Sequence, residues 1–451
     1  MSSIRFCVAA LIVASLPAWA ESADSLNQRV RVLERKIENQ QEEVDKKARE
    51  APIVTAGEKG FGFKLPDGSF EFRLRGLLQS DARFFIGDSK TFNDGFILRR
   101  VEPTFELTFA KFIFFRLQPQ FASDSSGNIG TADVYGELRF LPEFNVRAGK
   151  FKAPITLENL QSTAATPFIE RGLPTELSAN RDLGIQIQGA LFNGTSNYAL
   201  GIFNGAPDGR DANFTDVDNR KELAARLFFE PFKNDYGFLR GFGFGVGGSS
   251  GNTLTTSVAN INNTLPRYRT PGQNPFFNYV NTGVLATSVL ADGEHYRASP
   301  QAYYYNGSFG LLTEYIATTQ QVLLGAVRQR FTHEAWQVAT TYLLTGEDAS
   351  YSGPSKPRAP FTIGGDGWGT LEIAGRYGAI LIDGNAFTGN TFASIAASAR
   401  RASTVGFALN WHLNSNVKLG FGYDWTRFVG GAAAGDRPDE RAAFTRWQIS
   451  F

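Results

Sequence analysis

Arg99 and Arg100 form a basic doublet inside a stretch that otherwise alternates, and Lys150 and Lys152 bracket Phe151 ahead of a long loop-like segment. Arg83 follows Gln79 and Asp81 in steps of two, which places it on their face of an extended chain. Arg171 and Arg181 lie in the segment that the two lysines open. Cations close enough to share one anion, yet weak enough to release it, are what an ion filter needs. Arginine suits phosphate or carboxylate oxygens because its planar fork donates two hydrogen bonds, whereas lysine acts as a point charge. Each cation also has a plainer use, neutralising an acid in a polar interior. Glu102 and Glu106 share a face with Arg100, and Glu170 adjoins Arg171.

Other chemistry is poorly provided for. The only cysteine is Cys7 and the only methionine Met1, so no thiol nucleophile, disulfide framework or thiolate metal site is expected. His333 is followed by Glu334 but not by a second histidine at zinc-helix spacing. His412 stands between Trp411 and Leu413, and alternation sends it to the opposite face. One such histidine is the most that a barrel hydrolase could claim. The run from Gly241 to Gly248 lacks the Lys-Ser/Thr of a phosphate-cradling loop and reads as a strand of small side chains. No catalytic residue, metal-ligand set or cofactor is expected, and the chain is not read as an enzyme. With 45 Lys and Arg against 44 Asp and Glu, no general attraction to nucleic acid is indicated.

The element carrying the clearest signal is the C-terminal one. In Arg441 to Phe451, Ala443, Thr445, Trp447, Ile449 and Phe451 fall on one face and Phe444, Arg446, Gln448 and Ser450 on the other. That is the length and pattern of one transmembrane β-strand, about 9–11 residues. A terminal aromatic, Phe451, is what the outer-membrane assembly machinery of bacteria reads. At the other end, 1–20 reads as a secretory signal: Arg5, an apolar run from Phe6 to Leu16, then small residues ahead of Glu21. No later window holds 18 uninterrupted apolar residues, which leaves a closed barrel as the way to span lipid. The 40 Phe and 47 Gly beside a mean hydropathy of −0.20 suit an apolar outer belt around a wet interior.

Four regions are expected. After the signal, 21–50 is charged, with Leu26, Val30, Leu33, Ile37 and Val44 in alternating steps of four and three once Gln40 and Lys47 take the next d-type places, a short periplasmic coiled coil. Residues 51–69 read as a linker, and 70–451 as the barrel. Strands of period two are expected near 70–86, 96–109, 111–121, 131–140, 143–151, 183–192, 196–204 and 221–230. The second half continues near 238–248, 296–305, 308–318, 330–344, 368–378, 403–412, 416–427 and 441–451. The fold expected is therefore all-β, a 16-stranded antiparallel transmembrane β-barrel preceded by a coiled-coil helix. Short turns alternate with long loops near 152–182, 205–219, 249–295, 379–402 and 428–440. One long segment, 345–367, falls by parity on the short-turn side. Either a strand is miscounted or this segment folds into the barrel.

Several stretches resemble the phosphate- and polyphosphate-selective porin O/P family. They are Val146 to Glu158 (VRAGKFKAPITLE), Phe168 to Pro174 (FIERGLP), Tyr342 to Glu347 with Tyr351, and Glu372 to Tyr377. The resemblance implies a homotrimer in the bacterial outer membrane and a passive pore for phosphate, polyphosphate or other small anions. It also implies inward-folded loops bearing Arg and Lys, with the constriction formed by 152–182. Paired arginines and the lysine of that loop carry over to Arg99, Arg100 and Lys150 or Lys152, with Arg83, Arg171 and Arg181 as further candidates. The balanced charge and the sparse basic residues of 249–295, Arg267 and Arg269, depart from a strongly anion-selective filter. Sugars or carboxylates are the alternative cargo.

Overall fold

A computed structural model describes residues 23–87, 93–122 and 129–451, without the side chains of 23, 48 and 49. The secretory-signal expectation at 1–20 lies outside the described residues. The chain divides into two compact units between Ile53 and Val54. The first contains the helix α1, Ala23–Glu50, whose Leu26, Val30, Leu33, Ile37 and Val44 are all exposed.

Sixteen antiparallel strands of the second unit close into a barrel. The first eight are β1 (Phe70–Phe85), β2 (Gly95–Phe109), β3 (Ile113–Gln120), β4 (Gly130–Leu141), β5 (Phe144–Lys152), β6 (Arg181–Leu191), β7 (Ser196–Phe203) and β8 (Glu222–Phe229). The second eight are β9 (Phe242–Leu254), β10 (Leu290–Asn306), β11 (Phe309–Leu324), β12 (Val327–Leu343), β13 (Thr370–Leu381), β14 (Ala399–His412), β15 (Val417–Ala432) and β16 (Glu440–Ser450). β16 pairs with β1 from Ala442↔Phe85 to Ser450↔Leu77, and Phe451 exchanges both backbone hydrogen bonds with Gly76, at 2.9 and 3.0 Å. Closure leaves no open edge in lipid.

Period-two patterning accounts for the strands. In β16, Phe444, Arg446 and Gln448 are buried inside while Trp447 is 46% exposed outside, as the C-terminal pattern requires. Within 51–69, Gly60–Lys64 adds to β1 at Phe61↔Leu74. β11 and β12 also run further than expected and meet in a turn at Gly325, whose φ of 59° suits glycine. There the outward side chains turn polar, with Arg328 pairing Asp292 and Arg330 pairing Glu294 on the outer wall. The strands outlast the apolar belt, so the apolar signal ends before they do.

Two long connections fold inward. The segment 153–180 crosses the lumen, and Lys418 Nζ and Gln448 Nε2 of the far wall both donate to the Ala164 carbonyl. The segment 255–289 carries a hairpin, Arg267–Arg269 with Pro275–Asn278, whose Tyr268, Phe276 and Phe277 are fully buried. They join Ile316, Phe331, Ile380 and Phe387 in one apolar cluster that fills the lumen beside β11–β13. On the short-turn side, 344–369 also folds inward: the Tyr351 hydroxyl donates to the Leu157 carbonyl at 2.6 Å and the Tyr351 main-chain carbonyl accepts from Gln161 Nε2 at 2.8 Å. The strand count stands, and the long segment does enter the barrel.

Candidate functional site

The register between β1 and β2 shifts after Gln79. Gln79 faces Arg100 and Ser80 faces Leu98, leaving Arg99 as the extra residue of a β-bulge. A bulge re-aims a side chain, and here it turns both arginines inward. Arg99 grips Glu170 with Nε at 2.5 Å and Nη2 at 3.0 Å. Arg83 donates to the same carboxylate at 2.6 Å and to Asp81 at 3.2 Å. Arg376 donates to the Glu170 main-chain carbonyl at 2.6 Å. Burial alone would push the Glu170 carboxyl up, but Arg99 and Arg83 outweigh it and hold the group well below the ordinary carboxylate range. Arg83 and Arg99 are thus largely spent on pinning the crossing loop. Arg100 is freer: Nη1 donates to Gln79 at 2.8 Å and Nε lies 3.7 Å from Glu102.

The loop stretch from Asn159 to Gly172 contributes to the walls of two cavities. One, of about 870 Å³, is lined by Arg75, Arg116, Arg147, Lys152, Arg181 and Arg226, with Glu102 and Asp133 among the acids. The other, of about 90 Å³, is lined by Arg99, Arg100, Arg171, Arg269, Glu170 and Glu176. Lys152 lines the larger and Arg171 the smaller, and both donate to the Gln161 carbonyl, at 2.8 and 3.1 Å. Arg171 also donates to the Glu158 carbonyl at 3.1 Å and to Thr163 Oγ1 at 3.2 Å. Neither cation forms an ion pair with a carboxylate among the described residues. Dipoles position these charges without cancelling them.

The remaining candidates divide. Arg181 lines the large cavity but is paired with Asp133 at 2.8 Å. Lys150 lines neither cavity. It faces Val134 and Leu183 in the register, on the opposite side of the sheet from Tyr135, with its ammonium 5.0 Å over the Phe214 ring. Of the two lysines, Lys152 is the one that lines a lumenal cavity.

Arg226 was not anticipated. It projects inward from β8, donates to Gln301 at 2.9 Å, lies 4.4 Å from the Phe228 ring centroid, and forms no ion pair with a carboxylate among the described residues. Its phase was readable: Leu223, Ala225, Leu227 and Phe229 are exposed outside, which sends Glu222, Ala224 and Arg226 inside. Arg75, Arg116 and Arg147 were also missed, and are partly neutralised by Glu106, Asp133 and Glu137. His412 does point into the lumen, 3.0 Å from Glu372. No cluster of metal-ligating side chains occurs among the described residues.

The same fold recurs in solved outer-membrane proteins. The outer membrane channel DcaP of Acinetobacter baumannii superimposes with a TM-score of 0.55 at 12% identity, over 86% of this chain and 99% of that one. The trimer form of OmpT of Vibrio cholerae gives 0.54 at 10% identity, over 85% and 100%. An anion-selective porin from Comamonas acidovorans gives 0.52 at 11%, over 85% and 100%. No curated protein sequence matches the chain. The family model described as phosphate-selective porin O and P matches residues 72–449.

Proposed function

The chain belongs to the phosphate-selective porin O and P family, a bacterial outer-membrane porin, and on that premise we propose a passive channel for small anions, orthophosphate or short polyphosphate first. The observation that carries this reading is the shared Gln161 carbonyl. Lys152 and Arg171 are held there as uncompensated charges at the partition between two basic cavities. A phosphate entering from one cavity exchanges water for these two donors, then passes to the cations of the other. Because the donors belong to different cavities, neither has to release the ion into an uncharged gap. The apolar plug beside β11–β13 favours the same path by filling the uncharged part of the lumen.

The channel is proposed to be a homotrimer, joined by three α1 helices. The supporting observation is the exposed row Leu26, Val30, Leu33, Ile37 and Val44, whose heptad-like steps suit a coiled coil. The anion-selective Comamonas porin and the trimeric OmpT accord with both proposals at the level of fold.

The test is the reversal potential of the purified protein in a planar bilayer under a chloride gradient, followed by titration with phosphate. An anion-selective current blocked by phosphate is expected. Weak or cationic selectivity without block would leave a porin for sugars or other solutes.

A further inference from the structure

The chain has a second arginine doublet on a bulge, Arg400-Arg401, and it sits on the outer wall. The register between β14 and β15 shifts between Ala399 and Arg401, leaving Arg400 as the extra residue. Arg401 faces Val429, and Ser403 faces Arg427, so Arg401 and Arg427 are diagonal neighbours on one face. Trp425 faces Arg441, which makes Arg427 and Arg441 diagonal neighbours as well. That face is the lipid-facing one, since Phe407, Leu409 and Val429 on it are exposed. All of these arginines lie near the strand ends that carry the long connections 382–398 and 433–439. In an outer-membrane barrel that end meets the outer leaflet.

The side chains are arranged around an aromatic anchor. Arg427 lies 3.9 Å and Arg441 5.7 Å from the Trp425 ring centroid. Arg401 donates to Ser403 at 2.9 Å, and neither it nor Arg441 forms an ion pair with a carboxylate among the described residues. Arg400 lines a cleft of about 390 Å³ together with Ile395, Gly430, Ala432 and Asp436. Two acids stand near the four arginines. Asp439 accepts from Trp425 at 2.8 Å and lies 3.8 Å from Arg427, while Asp436 accepts from the Gly430 amide at 2.7 Å. The patch keeps an excess of positive charge on a wall where apolar side chains are the rule.

We propose that Arg400, Arg401, Arg427 and Arg441 bind the phosphorylated headgroup of a glycolipid in the outer leaflet, with its acyl chains lying along Phe407 and Leu409. Guanidinium forks suit phosphate oxygens, and exposed arginines at the top of an apolar wall meet headgroups rather than chains. The proposal rests on the outer-membrane assignment but not on the cargo of the pore, because the cluster Arg401, Arg427 and Arg441 lines neither lumenal cavity.

The test uses the full chain, purified in detergent and stripped of lipid. It is titrated with bis-phosphorylated lipid A, with the dephosphorylated lipid and with inorganic phosphate, and binding is read by native mass spectrometry. The phosphorylated lipid is expected to bind at least about tenfold more tightly than the dephosphorylated one. R401Q/R427Q/R441Q is expected to lose that preference while keeping wild-type conductance and ion selectivity. Equal binding of both lipids, or an undiminished preference in the variant, would overturn the proposal. Displacement of the lipid by inorganic phosphate at equal phosphate concentration would make this a free-ion site and also overturn it. Dissociation of the variant's oligomer in the absence of lipid would assign the patch to a protein interface instead. Should the variant fail to fold, the comparison of the two lipids on the unmodified protein decides. A wild-type protein that binds the lipid but passes no current would sink the porin reading and leave this one standing.

Discussion

Lys152 and Arg171 donate to one oxygen, the Gln161 carbonyl, at 2.8 and 3.1 Å, and so their nitrogens lie within about 6 Å of each other. Like charges that close repel, and the usual remedy inside a barrel is a carboxylate. Here the acceptor is a neutral dipole, which positions both charges without neutralising either.

Glu170 sets the contrast. Its carboxylate consumes Arg83 and Arg99 and anchors the crossing loop. Glu170→Gln is expected to strengthen phosphate block, because Arg99 loses its carboxylate partner and Arg83 keeps only Asp81. It is also expected to lower barrel stability by about 3 kcal/mol, the scale for breaking a buried pair. Phosphate titration and thermal unfolding read the two effects separately.

The same group predicts a pH response. Its folded pKa is depressed, so the stability it contributes is present above the unfolded value of about 4.3 and is lost only as pH falls through the lower folded value. Conductance measured from pH 7 to about 4.5 should therefore show no transition from release of the loop. A sharp rise in conductance near pH 5 that E170Q abolishes would contradict this.

Gly76 makes room for the C-terminus. A Cβ built there would meet the Phe451 ring at 2.6 Å. Gly76→Val is expected to lower the yield of folded barrel, and Phe451→Ala is expected to restore part of it in the double variant. Additive losses would show that the two residues act independently.

Phe277 tests the apolar plug. It is fully buried, stacked on Tyr268 at 5.4 Å and edge-on to Tyr279. Phe277→Ala is expected to cost about 3–5 kcal/mol and to loosen 255–289, raising single-channel conductance while reducing selectivity.

Deleting Asp24 to Glu50 should leave a folded barrel, since the sixteen strands belong to the other compact unit. The oligomer is expected to dissociate at lower temperature, which heat-dependent gel mobility would show.

The barrel was legible because each strand exposes one face to lipid and the other to a polar lumen, an alternation that a local window detects. The strand number followed from it, whereas parity left two readings of 345–367 open, a miscounted strand or an inward fold. The longer reach of β11 and β12 was not legible, because Gln321, Arg328 and Arg330 carry the pattern beyond the apolar belt. At the site, the Arg99–Arg100 doublet announced its bulge by breaking alternation. Choosing Lys152 over Lys150 required the register, since both lie at one phase of β5 and diverge only where the chain bends into the loop. Which arginines are free could not be read at all. Glu170 lies 71 residues from Arg99 and 87 from Arg83, and only the folded loop brings them together.

The most direct measurement is the reversal potential and phosphate block of K152Q/R171Q beside the wild type in the same bilayer. The account predicts a folded channel with reduced anion preference and phosphate block weakened by at least about tenfold, the effect of removing two charge-assisted donors. Unchanged selectivity and block in a folded double variant would contradict it and move the filter away from the Gln161 carbonyl.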